Sequence, residues 1–286
     1  MTTLVTGPRF RLRGRPGRTP KSAAWWAGGV LVMLALVAII GPMIYSYGPN
    51  DTDLLATGAG PSWAHPFGTD DVGRDLLARI LSGARISLIS PLLVMLIAST
   101  LGTVIAVSAA WLGGRFDSFV GVVVDISLAF PSVLLAVLVV AFAGPGLVAP
   151  VAAMAIAYVP YSARIIRSRA IAERSLPYIE ALHIQGFRGM SICVHHLIPN
   201  IMGMLAALST LTYGYAMVDL AAISFLGLGV QPPQADWGSM VSEGKSGILA
   251  GSPHEALAAG GCIVIAVIAV NILGEALADR AAGRNT

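Results

Sequence analysis

A chain of 286 residues would suit one or two soluble domains, but 56% hydrophobic residues, 12% charged residues and a mean hydropathy of +0.76 exclude them. Soluble domains carry about twice that charged fraction. The net charge of +3 does not point to nucleic acid, because the basic residues cluster beside apolar runs, and two cysteines exclude a disulfide framework. Cys193 falls in a polar stretch and Cys262 in an apolar one, so both read as packing thiols.

Residues 1–22 hold Arg9, Arg11, Arg13, Arg15, Arg18 and Lys21 among glycines and prolines, with no acidic residue. Positive charge also opens a secretory signal, yet the apolar run that follows, 23–45, ends without a small-x-small cleavage pattern. That run is long enough to cross a bilayer, so a retained first helix is expected behind a basic tail that orients the chain. Residues 46–83 are polar and rich in Gly, Pro and Asp. Their second half begins the stretch HPFGTDDVGRDLLARILSGARISL, 65–88. There Leu76, Leu77, Ile80 and Leu81 fall at helical spacing and predict an amphipathic lead-in to the next span. Asp70, Asp71, Arg74, Asp75 and Arg79 are placed to pair along it. His65 with Asp70 and Asp71 matches no metal-ligand spacing.

Four further spans are read at roughly 86–111, 119–142, 147–166 and 197–223, and a sixth at about 256–277. The fold class is therefore an all-α membrane protein with six transmembrane helices. Gly102 and Ala106, one turn apart, suit close helix packing in lipid. With the N-terminus inside, fourteen Lys and Arg fall on the inner side against four (Arg74, Arg79, Arg85, Lys245) on the outer. The positive-inside rule then places both chain ends in the cytoplasm.

The same count puts the polar stretch YIEALHIQGFRGMSICVHHLIPN, 178–200, on the cytoplasmic side. Pro177 suits the first turn of a short helix, with Ser175 read as its N-cap. Gly186 suits the left-handed residue that ends it. A second helix is expected to start near Gly189 and run through Pro199 into the membrane. The product is a helix–turn–helix elbow on the membrane surface with Glu180 exposed.

No catalytic pattern is present. A phosphate-binding P-loop needs four residues between its glycines; Gly238 and Gly244-Lys245-Ser246 have five, and fall on the outer face. Neither HExxH nor GxSxG occurs. His183, Cys193, His195 and His196 offer zinc-type donors, but adjacent histidines on a helix point about 100° apart and share an ion poorly. No catalytic or metal residue is assigned. Ionisable residues inside spans ask for a functional reading. Glu275 and Asp279, near a helix end, read as structural. Asp125 and Asp219 stay open between substrate path, interhelical pairing and subunit contact. In 224–240, SFLGLGVQPPQADWGSM, a proline pair stiffens the turn and Trp237 is an interfacial anchor by type. With Gln231, Pro232 and Pro233 it reads as a docking surface for a soluble external partner.

The elbow resembles the EAA loop of ABC importer permeases at Glu180, Ala181, Gly186, Ile198 and Pro199. Together with the 65–88 block and SFLGLGVQPP followed by WGSM, it makes the chain similar to one family. That family is the second, C-type permease of dipeptide, oligopeptide and nickel ABC importers. Phe130-Pro131-Ser132 and Ser162-Ala163-Arg164 also match its habits, and the resemblance extends from the first span to Asp279. Leu182 in place of the usual second Ala, His183-Ile184-Gln185 and Phe187-Arg188 depart from the pattern. The resemblance implies a type I importer permease fold with a cytoplasmic coupling helix in the elbow. It divides the chain into a tail (1–22), a first helix with its external loop (23–83) and a permease core (84–280) whose coupling loop spans about 168–196.

The implied partners are a homologous second permease, two cytoplasmic ATPase subunits, an external solute-binding protein and the lipid bilayer, with no nucleic acid. No cofactor is expected in this chain, since ATP and magnesium would sit on the ATPases. The implied location is the bacterial plasma membrane. At the ATPase, Glu180 and Arg188 would make polar contacts, Ala181 and Gly186 would permit close approach, and Tyr178 and Phe187, beside Leu182, would pack into its cleft. Peptides are the family's default solute, with nickel complexes, haem or another small solute as the alternative. An ion-driven secondary transporter is the competing class, weakened by the sparse intramembrane set of ionisable residues.

Overall fold

The computed structural model describes residues 20–249 and 251–282. The basic tail up to Thr19, and Arg284, lie outside the described residues. In chain order the helices are α1 (Lys21–Ile44), α2 (Leu76–Leu112), α3 (Gly114–Leu128), α4 (Ser132–Ala143), α5 (Val148–Arg174), α6 (Pro177–Ile184) and α7 (Gly189–Ile192). A π-helical turn (Cys193–Leu197) then leads into α8 (Ile198–Phe225), followed by α9 (Trp237–Glu243), α10 (Lys245–Leu249) and α11 (His254–Ala282). Among the described residues, α1, α2, α5, the continuous run Gly189–Phe225 and α11 are each long and apolar enough to cross a membrane; α3 and α4 together make a sixth span if the pair counts as one.

The reading of 119–142 as one straight span is corrected here: α3 and α4 meet at 78° across Ala129–Pro131. Pro131 lacks an N–H and disfavours helical geometry at Phe130, so the helix stops and a new one starts at Ser132. The lead-in helix and the second span, by contrast, are one 37-residue helix. The Asp75 carboxylate caps it, accepting from the Ala78 backbone N–H at 2.8 Å. The same carboxylate meets His65 Nδ1 at 2.8 Å and accepts from the Tyr45 hydroxyl at 3.2 Å.

Helix α2 is the post around which the others stand. Its residues Ala98, Gly102, Ala106 and Ala110, four apart, are all buried. A side chain at Gly102 would bring its Cβ to 2.7 Å from Ser162 Cβ on α5, so the two backbones touch through small residues. This is how helices associate in lipid, where apolar burial itself supplies no drive.

At the start of α2 the loop before it and the segment around α9 fold over one another. Arg74 donates to Asp70 at 2.6 Å and to Glu243 at 3.0 Å, and the fully buried Arg79 donates to Glu243 at 2.7 Å. Asp71 is exposed. Trp237 is not an interfacial anchor: it is 1% exposed, and its indole N–H donates to the Ile80 carbonyl at 3.1 Å. The cause is the reciprocal cap on α9, in which Asp236 and Ser239 turn the chain inward, while Ser224 Oγ ties Asp236 back to α8 at 2.7 Å.

Candidate functional site

The elbow begins where α5 stops. Ser175 is not the N-cap of α6: its hydroxyl turns back to donate to the Ala172 carbonyl at 2.7 Å, and Leu176 takes the extended cap position before Pro177. Eight residues later the helix closes through Gln185 N–H to Ala181, Gly186 N–H to His183 and Phe187 N–H to Leu182. Gly186 has φ +83°, the left-handed conformation that this closure requires.

Helix spacing then sorts α6 into two faces. Ile179 is buried and Leu182 half-buried toward the body of the protein, while Pro177, Glu180, Ala181 and Ile184, at i, i+3, i+4 and i+7, are exposed. Ile184 is 82% exposed and Met190, past the turn, 76%. Phe187 is exposed as well, its ring 6.1 Å from His196, and Arg188 beside it faces solvent. A polar elbow therefore presents apolar side chains outward around Glu180. Ile184 and Met190 escaped the sequence reading, although the i, i+4 step from Glu180 to Ile184 was the available signal.

Two braces hold the elbow to the spans. In the first, Tyr178 donates to Glu173 Oε1 on α5 at 2.9 Å, and the Asn200 amide on α8 donates to the Tyr178 oxygen at 2.8 Å and to Glu173 at 3.2 Å. Glu173 is buried, with Arg169 3.5 Å from its other oxygen. Burial raises the Tyr178 hydroxyl above its ordinary range; the Asn200 amide pulls it part of the way back, and the Glu173 bond and charge add to the rise. Tyr178 thus joins three helices through its hydroxyl. In the second brace, the Arg174 guanidinium lies 5.5 Å over the Trp111 ring and donates to the Ala110 carbonyl at 2.6 Å. The His183 ring meets the same indole edge-on at 5.4 Å. Beyond the turn, Cys193, Leu197 and Ile201 are buried against α2 and α5, so the elbow continues without a joint into α8.

The two intramembrane aspartates differ. Asp219 on α8 accepts from Tyr158 on α5 at 2.9 Å and from Ser132, the first residue of α4, at 3.2 Å, and so fixes the bend between α3 and α4. Asp125 lies at the surface, 3.6 Å from Arg164, with both side chains more than 60% exposed. On the far side of the fold Gln231, Pro232 and Pro233 are exposed, Gln231 donating to the Gly227 and Gly229 carbonyls, while Trp237 lies beneath them in the core.

Residues 98–284 match the family described as binding-protein-dependent transport system inner membrane component. Residues 21–61 match the N-terminal transmembrane domain of oligopeptide transport permease C. The chain is 36% identical over 250 residues to the dipeptide transport system permease protein DppC of Alkalihalophilus pseudofirmus, covering 87% of this chain and 82% of that one. It is 33% identical over 279 residues to the glutathione transport system permease protein GsiD of Pectobacterium atrosepticum, covering 94% and 92%. To the Escherichia coli O6:K15:H31 protein of the same description it is 34% identical over 250 residues.

Proposed function

Because the chain belongs to the binding-protein-dependent transport system inner membrane component family, we propose that it forms half of the pathway of an ATP-driven peptide importer. It is a multi-pass transport component rather than an enzyme. A homologous permease completes the pathway, two cytoplasmic ATPase subunits bind ATP and magnesium, and an external binding protein delivers the solute. The setting is the bacterial plasma membrane with both chain ends in the cytoplasm, in keeping with the excess of basic residues on the elbow side.

The observation that carries the coupling role is the outward stripe of α6 on a rigidly braced elbow. When the ATPases close around nucleotide, a subunit gripping Glu180, Ala181, Ile184, Phe187 and Arg188 moves α6. The Glu173–Tyr178–Asn200 and Arg174–Trp111 contacts carry that motion into α5, α8 and α2. The cavity between the two permeases then changes the side on which it opens. Asp125, exposed beside Arg164, meets the partner permease or the passing solute, and Asp219 keeps the α3–α4 bend in place. Gln231, Pro232 and Pro233 form part of the surface met by the binding protein. A peptide cargo is favoured by the dipeptide and glutathione names of the relatives.

The test is uptake of a labelled dipeptide into vesicles holding the assembled complex. Uptake that requires both ATP inside and binding protein outside supports the proposal; uptake indifferent to both sinks it.

A further inference from the structure

At the opposite end of α2 from the elbow, three carboxylates converge from distant parts of the chain. Asp70 comes from the loop before α2, Glu243 from the end of α9 and Glu255 from the first turn of α11. One oxygen of each lies within 4.8 Å of the others, and Asp70 and Glu255 are only 1% and 5% exposed. Two guanidiniums answer them: Arg74 and Arg79 both reach Asp70 and Glu243. With all three carboxylates ionised, two guanidiniums would leave one negative charge unmatched in a buried place, where it is costly. It would fall on Glu255, whose Oε1 is buried without a hydrogen-bond partner and which no ion pair reaches among the described residues; the cluster's other partnerless atoms, Arg79 Nε and Nη1, belong to a guanidinium already paired with Glu243. The N-terminal position on α11 offsets only part of that cost. Glu255 and Asp70 also line a cavity of about 240 Å³ with Thr69, Asp71, Ser252 and His254, so the unpartnered group borders a space with room for a ligand.

We propose that Asp70, Glu243 and Glu255 hold one hard metal cation of calcium or sodium size. The donors are all oxygen, which selects hard ions over zinc or copper. Three oxygens within 4.8 Å of one another are close enough to share one ion, and calcium, with its flexible 2.3–2.6 Å coordination, asks less of their placement than magnesium in its strict octahedron at 2.0–2.1 Å. The two guanidiniums weaken the site, which places it in the class of about 10⁻⁴–10⁻³ M affinities. The bound ion would clamp the external loop, α9 and α11 together. This inference does not depend on what the protein transports.

The test is thermal unfolding of the purified protein in choline chloride at constant ionic strength, titrated with calcium, sodium or magnesium chloride, with calorimetry for stoichiometry. The expected result is one ion per chain and an upward shift on the order of 3 °C at ten times the dissociation constant, from calcium or sodium, whichever salt responds naming the ion. Glu255→Gln should abolish the response, while folding at least as well as the native chain without added ion because it removes the unmatched charge. Asp71→Asn, at the cavity rim, should keep the response. No heat and no shift beyond choline with either salt would overturn the site, and so would an undiminished response in Glu255→Gln. Calorimetry on the native chain decides the matter even where a variant fails to fold.

Discussion

Gly186 offers the sharpest prediction because its surroundings isolate one physical term. A Cβ built there meets no atom within 4 Å, so a substitution introduces no clash. What remains is backbone conformation at φ +83°. Placing an L-residue in the left-handed helical region costs roughly 1–2 kcal/mol, less for Asn and more for a β-branched residue. That is roughly a 5- to 30-fold shift against the closed turn. The series Gly, Asn, Ala, Val should therefore lower the uptake per ATP hydrolysed in that order, with Asn near the native value and Val tenfold or more below it. The assay is uptake by the reconstituted complex, read with amide hydrogen exchange at Gln185–Arg188, which should speed up in parallel. Insertion of the subunit should not change. Native uptake by Gly186→Val, or Asn as damaging as Val, would refute the claim that the turn's geometry carries coupling.

Tyr178→Phe removes the hydroxyl that joins Glu173 and Asn200, and a hydrogen bond to a charged group contributes about 1.5–3 kcal/mol. Uptake should fall at least tenfold while ATPase subunits still co-purify; unchanged uptake would contradict the brace. Ile184→Arg, at an 82% exposed position, should leave unfolding within about 0.5 kcal/mol of native yet release the ATPase subunits on purification. Trp237→Ala should destabilise the protein by about 3–5 kcal/mol in thermal or denaturant unfolding, as loss of a buried anchor does, rather than selectively weaken binding-protein docking.

The spans and the elbow were legible because both depend on local patterns. Apolar runs of membrane length mark the first, and Pro177, Gly186 and helical spacing mark the second. Four features were not, each for a physical reason. Phe130-Pro131 was visible, but a proline inside an apolar run is compatible with a kink or a full break. Only the packing of Ser132 against Asp219 shows that the chain takes the 78° course. Ser175 is a good cap residue by type, yet its hydroxyl serves the helix behind it, and sequence alone does not choose the direction. Arg79 with Glu243, and Tyr178 with Asn200, pair across 164 and 22 positions, so no spacing rule reaches them. Trp237 was assigned to an interface by residue type, and the Asp236–Ser239 cap turned it inward.

The most direct test of the coupling account uses a background with Cys193 and Cys262 replaced and a single cysteine at Glu180. It asks which subunit that cysteine cross-links and from which side of the membrane it is labelled. The account predicts a cross-link to an ATPase subunit, altered by nucleotide, and labelling only from the cytoplasmic side. Labelling of intact cells by a membrane-impermeant thiol reagent, with no cross-link to the ATPase, would contradict it.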